Sequence, residues 1–247
     1  MNLLLVETLR ESYTFESGDA RTEKILRLAG PEICLGVTRG PRGIGNFSRL
    51  PDGGVQIDSI RWEADTVGPP DLDLVIGLPR PAEARRILVQ AAAMGVRRIG
   101  LALLDRTPPS YADSRSLAPE ALGRLLREGL EQGFHTALPE FQFLRGLKEV
   151  LGFVESDRPV SVLDPYLGTC LLGEGEEGPD LPGTIIFGSE RGFSPQEQEL
   201  IRESAVRRRH LGPSIMRTET AVVSALALAH RQMGWSASAD RGVIRPE

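Results

Sequence analysis

The chain has few of the residues that build metal centres or disulfide frameworks: two cysteines and three histidines among 247 residues. Cys34 and Cys170 stand far apart, and His135, His210 and His230 fall into no ligand spacing, so neither a disulfide scaffold nor a bound metal is expected. A reducing, cytoplasmic setting is the simplest match. There is no run of about eighteen apolar residues, so no membrane-spanning helix is expected. The apolar start at Met1–Val6 has no basic stretch before it and acidic residues directly after it, so no secretion signal is expected. Positive charge is also short: 29 Lys and Arg against 34 Asp and Glu give a net charge of −5. That argues against a broad nonspecific phosphate-binding surface and leaves room for local basic patches only.

What is present is an ordinary globular composition, 40% hydrophobic with both charge signs mixed, and a length that suits one large domain or a small plus a medium one. Residues 1–70 read as a small β-barrel. NLLLVE, EICLGVTRG and GGVQIDSIRW are strand-like runs, Asp52-Gly53-Gly54 is a tight turn, and 21–29 is a short helix. Gly68-Pro69-Pro70 then reads as a linker. From 71 the period changes. Strands are expected over 71–79, 97–105, 159–165 and 183–189, and helices over 81–95, 118–132 and 146–155. Pro81 suits a first helical turn, and Leu122, Leu125, Leu126 and Leu130 share one helix face. This alternation implies an α/β domain over 71–235 with a largely parallel sheet. Ser194-Pro195-Gln196-Glu197 has the form of a capping box, which fixes a helix start there. A last helix over Thr218–Met233, closed by Gly234, is apolar nearly all round and should be buried on several sides. Residues 236–247 read as a flexible tail.

Two segments hold candidate chemistry. Gly188-Ser189-Glu190-Arg191-Gly192-Phe193 joins a strand to the capped helix, at the carboxyl end of a parallel strand, where such sheets bind ligands. Taken alone, it equally suits a plain strand–helix turn. Leu211-Gly212-Pro213-Ser214-Ile215-Met216-Arg217-Thr218-Glu219-Thr220-Ala221 opens the last helix. Arg217 there opposes the helix dipole while Glu219 suits it. Arg217 therefore reads either as functional or as a surface partner of Glu219.

Together these two segments resemble the bacterial family of 16S ribosomal RNA uracil-N3 methyltransferases, whose members carry a G-P-E-G-G-F loop and an L-G-x-R-I-L-R-x-E-T-A segment. Gly188, Glu190, Gly192 and Phe193 match the first, and Leu211, Gly212, Ile215, Arg217, Glu219, Thr220 and Ala221 match the second. LVIGLPRPAEARRILVQAAAMGVRRI and GLEQGFHTALPEF also fit, so the likeness covers most of residues 21–235. Ser189, Arg191, Ser214 and His135 depart from the family pattern.

The resemblance implies a SPOUT-type trefoil-knotted α/β domain preceded by a small PUA-like β-barrel, usually as a homodimer. It implies S-adenosyl-L-methionine as cofactor, held by Leu163, Pro165, Phe187, Gly188, Ser189, Glu190, Gly192, Leu211, Gly212, Ile215 and Met216. Ribosomal RNA or the small ribosomal subunit would be the partner. In that reading Arg217 stabilises the anion left when uridine N3 loses its proton, and Glu219 orients Arg217 or accepts the proton. Arg39, Arg42, Phe47 and Arg49, in an acid-free stretch taken as a barrel loop, are candidates for RNA contact, with an ordinary hairpin as the plainer reading. Arg207, Arg208, Arg209 and His210 form a second basic run, which reads as a solvated charged face, with RNA contact as the other reading. Two alternatives stand beside this one: an RNA-binding protein of the same fold without catalysis, and a SPOUT enzyme modifying another RNA site.

Overall fold

The structure, a computed structural model, describes residues 3–27, 30–63, 68, 70–155, 157–175 and 181–235. The expected tail at 236–247, the last two residues of the helix expected at 21–29, and Pro69 of the linker lie outside the described residues.

The N-terminal part is a curled, five-stranded mixed sheet, a half-barrel. Its elements are β1 (Leu4–Val6), β2 (Tyr13–Phe15), α1 (Ala20–Ile25), β3 (Glu32–Val37), β4 (Arg42–Arg49) and β5 (Val55–Trp62), in the sheet order β1-β3-β4-β5-β2. β1 runs parallel to β3, and the other pairs are antiparallel. Leu4, Phe15, Ile25, Leu35, Val55 and Ile57 fill its concave side. The Asp52 side chain accepts from the Gly54 amide at 2.9 Å and closes the turn between β4 and β5, as its sequence demands.

The stretch taken as a barrel loop is instead β4, a strand paired on both sides. Its glycines are there for close packing: a Cβ at Gly43 would lie 2.7 Å from the Arg61 carbonyl oxygen. This placement engages two of the proposed RNA contacts. Arg42 pairs with Glu63 at 3.2 Å and donates to the Phe134 carbonyl at 3.3 Å, while Phe47 packs against the sheet's core. Arg39, at the β3–β4 turn, and Arg49 remain exposed.

The larger part is a seven-stranded sheet, parallel throughout, in the order β10-β12-β9-β11-β6-β7-β8. The strands are β6 (Asp73–Gly77), β7 (Arg98–Leu103), β8 (Glu140–Arg145), β9 (Val160–Leu163), β10 (Cys170–Leu171), β11 (Thr184–Phe187) and β12 (Arg207–His210). The helices are α2 (Pro81–Met94), α3 (Pro119–Gly133), α4 (Leu147–Phe153), α5 (Pro195–Glu203) and α6 (Thr218–Gln232). One core layer joins α2, α3 and α6 to the sheet, and a second, around Val75, Val150, Ile186 and Ile201, joins α4 and α5 to its other face. α2 and α3 approach closely at small residues, since a Cβ on Gly133 would fall 2.0 Å from the Ala93 carbonyl oxygen.

Two expectations need correction here. The basic run 207–210 is β12, an interior strand between β9 and β10, with all four side chains half-buried. Its Arg208 donates to the Gln198 side chain at 2.5 Å and to the Gln198 carbonyl at 3.0 Å, so part of the cluster is structural. α6 buries only one face, through Val222, Ala225, Leu226, Ala229 and His230; Ala227 is exposed and Val223 half-exposed.

The half-barrel docks on α3. The Leu3 amide donates to the Glu131 carbonyl at 2.8 Å, Lys24 pairs with the Glu131 carboxylate at 2.5 Å, and Leu3, Leu5, Cys34 and Ile44 pack against Leu130. At the amino edge of the large sheet the fully buried Asp73 accepts from Arg97 at 2.7 Å and from Arg98. Burial pushes the Asp73 carboxyl up, but the two guanidiniums outweigh it and hold the group below the usual carboxylate range.

At the far end of α6 the buried His230 meets the half-buried Trp235 and His135. Trp235 packs on His230 at 4.7 Å and on His135 at 5.5 Å between ring centres. Burial, with repulsion from His135 added, holds His230 down to about 4. A histidine depressed in the folded state is charged first in the unfolded chain. Its stabilising effect is complete above the ordinary value of 6.5 and is lost as pH falls from there toward 4. The loss amounts to about 3 kcal/mol. Urea midpoints measured from pH 7 to pH 4.5 should therefore fall more for the wild type than for His230→Leu. Equal slopes would assign the acid sensitivity elsewhere.

Candidate active site

Parallel pairing lines up the ends of three strands. Leu163 of β9 stands opposite both Phe187 of β11 and Arg209 of β12, so the loops that follow all leave the sheet at one point on its carboxyl edge. Between them lies a cavity of about 590 Å³. The loop after β9 contributes Leu163 and Pro165; the loop after β11 contributes Phe187, Gly188, Ser189, Glu190 and Gly192. Leu211, Gly212, Ile215 and Met216 close it from the loop after β12. Every residue expected to hold a cofactor thus faces one space. The wall is apolar at Leu163, Phe187, Leu211 and Met216 and polar at the glycine turn.

Side chains that bond to backbone hold each loop in place. The buried Asp164 carboxylate accepts from the Tyr166 amide at 2.9 Å and the Leu167 amide at 3.1 Å, while its other oxygen accepts from the Gln198 side chain at 3.0 Å. Ser189, where the family has proline, donates its hydroxyl to the Gly192 carbonyl at 2.6 Å and closes the turn by a hydrogen bond instead of a ring. The capping box at α5 forms as its sequence demands. Its buried Glu197 also accepts from the Asp105 amide at 2.9 Å, and Ser194 donates to Asp105 at 2.5 Å. This network ties the end of β7 to the glycine turn. After β12, the Gly212 amide donates to His210 Nδ1 at 3.0 Å, and Gly212 itself has φ +102.

The two candidate catalytic residues stand at the start of α6 and do not line the cavity; Thr218 and Ala221 do. Arg217 is the N-cap residue, is exposed, and makes no side-chain hydrogen bond or ion pair with the described residues. Glu219 is paired with Arg86 of α2 at 2.7 Å, not with Arg217. That removes both the surface-pair reading of Arg217 and the idea that Glu219 orients it.

Sequence reasoning missed Arg106, Tyr166 and Glu83. Arg106 and Tyr166 line the cavity. Glu83 of α2 shares a hydrogen bond with the Glu190 carboxyl, which, with burial, raises it above the usual carboxylate range. Arg106 follows β7 directly, so its place at a parallel strand's carboxyl end was the available signal. Among the described residues no group of three or more His, Cys, Asp or Glu is placed to hold a metal ion, and no helix is long and apolar enough to cross a membrane.

Known proteins agree with this architecture. The Ribosomal RNA small subunit methyltransferase E of Treponema pallidum (strain Nichols) is 29% identical over 216 residues, which span 83% of this chain and 79% of that protein. The Ribosomal RNA small subunit methyltransferase E 1 of Borreliella burgdorferi is 29% identical over 155 residues, 62% of this chain and 64% of its own. The crystal structure of a Ribosomal RNA small subunit methyltransferase E from Neisseria gonorrhoeae, bound to S-adenosyl methionine, superposes with a TM-score of 0.74 at 21% identity. It covers 94% of this chain and 97% of that one, a likeness of fold. Residues 67–230, well over half the chain and including all three cavity loops, match the family model described as RNA methyltransferase domain, and the chain belongs to that family.

Proposed function

We propose that the chain transfers a methyl group from S-adenosyl-L-methionine to N3 of a uridine in small-subunit ribosomal RNA, and that it works as a homodimer. The observation that carries this reading is the single cavity built by the three carboxyl-edge loops. Its volume of about 590 Å³ suits a cofactor of nucleoside size. Leu163, Phe187, Leu211 and Met216 offer an apolar slot for an adenine ring, and a Cβ built on Gly212 meets nothing within 4 Å, so the space beside it is open. The names of the relatives support ribosomal RNA of the small subunit as the substrate.

When bound, the cofactor supplies an electrophilic methyl group. The chain's part is to place the base and stabilise its charge. Uridine N3 carries a proton at neutral pH, and its release to solvent water leaves an anion delocalised over N3, O2 and O4. Arg217, which stands between the cavity-lining Met216 and Thr218 and has no side-chain partner among the described residues, is the group we assign to that anion. Glu219, tied to Arg86, acts as a positioning residue that fixes the start of α6. The dimer rests on the incompletely covered α6 and on Tyr166, Leu167 and Ile215, which are 80%, 51% and 65% exposed.

Four measurements test this. Calorimetry should find one S-adenosylhomocysteine site per chain, weakened by Gly212→Val because a β-branched residue is strained at φ +102. In a deletion strain, mass spectrometry of ribosomal RNA should find one methyluridine missing, and an intact methylation pattern would overturn the assignment. Arg217→Ala should slow single turnover by about 100- to 1,000-fold with both substrates saturating, and Arg217→Lys should recover only part. An unchanged rate in folded Arg217→Ala protein would end the catalytic role. Light scattering at micromolar concentration should report a dimer, and a monomer there would remove the assembly.

A further inference from the structure

The cavity has a neighbour. On the other side of the glycine turn an open cleft of about 590 Å³ runs between the loop after β7 and the turn itself, floored by Asp105, Thr107 and Pro108. Arg106 and Arg191 line both the cavity and this cleft, and a small extension of about 50 Å³ leads on to Arg80 and Tyr111. We propose that this cleft binds a phosphodiester of the RNA strand beside the target nucleotide, gripped by Arg106 and Arg191. The proposal rests on the RNA methyltransferase reading and names where its substrate backbone sits.

Three observations lead to it. First, the two arginines are fixed relative to each other although both lie on loops, because Arg106 Nη1 donates to the Arg191 carbonyl at 2.8 Å. Second, the guanidinium of Arg191 makes no hydrogen bond or ion pair with another described residue, and both arginines are exposed. Third, the acids that face the cleft are already engaged. Asp105 accepts from the Ser194 hydroxyl at 2.5 Å. Glu190 accepts from the Arg80 amide at 3.2 Å, faces Arg80 Nε at 3.8 Å, and shares a hydrogen bond with Glu83. In a chain of net charge −5, this leaves the Arg191 guanidinium without a partner among the described residues, and the remaining N–H groups of Arg106, at the mouth of the cavity. Guanidiniums present paired N–H groups to phosphate oxygens, and here they would do so within reach of a base turned into the cavity. Two of the half-barrel residues expected to meet RNA are engaged within the fold, Arg42 with Glu63 and Phe47 with the sheet's core, so the cleft offers the alternative contact.

The test is binding of a labelled single-stranded oligouridine, read by fluorescence anisotropy across a KCl series. Arg191→Gln should weaken binding roughly tenfold at moderate salt and shrink the log–log salt slope by about 0.7. Arg106→Gln should do the same, while Arg106→Lys, which keeps the charge, should retain the slope. Arg202→Gln, on the exposed end of α5 and paired with Glu199, should match the wild type. Wild-type slopes in both Arg191→Gln and Arg106→Gln would overturn the cleft, as would an equal loss in Arg202→Gln. Calorimetry with S-adenosylhomocysteine on the wild-type protein separates the two ideas. Cofactor binding with unaltered RNA slopes removes only the cleft. Absent cofactor binding with altered slopes removes the methyl transfer and keeps the cleft as an RNA contact.

Discussion

The parallel register of β9, β11 and β12 is the constraint on which the site depends. Because Phe187, Leu163 and Arg209 stand side by side, three loops from distant parts of the chain begin at the same height and converge. Parallel strands need crossovers, and the crossovers put α2 and α3 on one face, where the terminal α6 joins them, and α4 and α5 on the other. The sheet is therefore dry, and its carboxyl edge is the exposed rim where polar loop groups can meet a ligand. A slip of one residue in β12 would turn its side chains to opposite faces and withdraw the loop at 211–216 from the cavity.

Convergence alone would leave three mobile segments. Each is held by a side chain bonded to nearby backbone: Asp164 to the amides of Tyr166 and Leu167, Ser189 to the carbonyl of Gly192, and His210 to the amide of Gly212. Such local bonds satisfy groups that a loop beside a cavity would otherwise bury unpaired. They also explain how the glycine turn holds its shape with a serine at 189, where the resembled pattern has proline. The hydroxyl restores by hydrogen bonding the rigidity that a ring would have provided, and it leaves Arg191 at the outer tip of the turn.

Charge is distributed in the same economical way. Arg97, just before β7, and Arg98 at its start pair with Asp73 and Glu155 at the sheet's amino edge, Arg208 with Gln198 inside it, and Arg42 with Glu63 in the half-barrel. At the carboxyl edge, Arg217 and Arg191 have no side-chain partner among the described residues, and Arg106 commits only Nη1. A net acidic protein can thus meet a polyanion through a small, directed surface, because screened charges elsewhere act only weakly across a Debye length of about 8 Å.

The sequence by itself determined much of this. The change of period near residue 71, the proline and capping-box helix starts, the glycine turn and the 211–221 segment can all be read without coordinates, because each rests on contacts within a few residues. The eleven residues expected to hold a cofactor came from the family resemblance that these motifs carry, and all eleven line the cavity. Only the tertiary structure decided the rest. Gly43 made 42–49 look like a loop, yet its missing side chain serves contact with Arg61 and Trp62 on another strand. The run 207–210 looked like a solvated charge patch, yet it pairs with β9 and β10, residues some forty positions away. Glu219 sits two residues from Arg217 in the chain but bonds to Arg86, because α6 packs on α2. Which charge meets which is set by the packing of elements distant in sequence, and no local pattern carries that information.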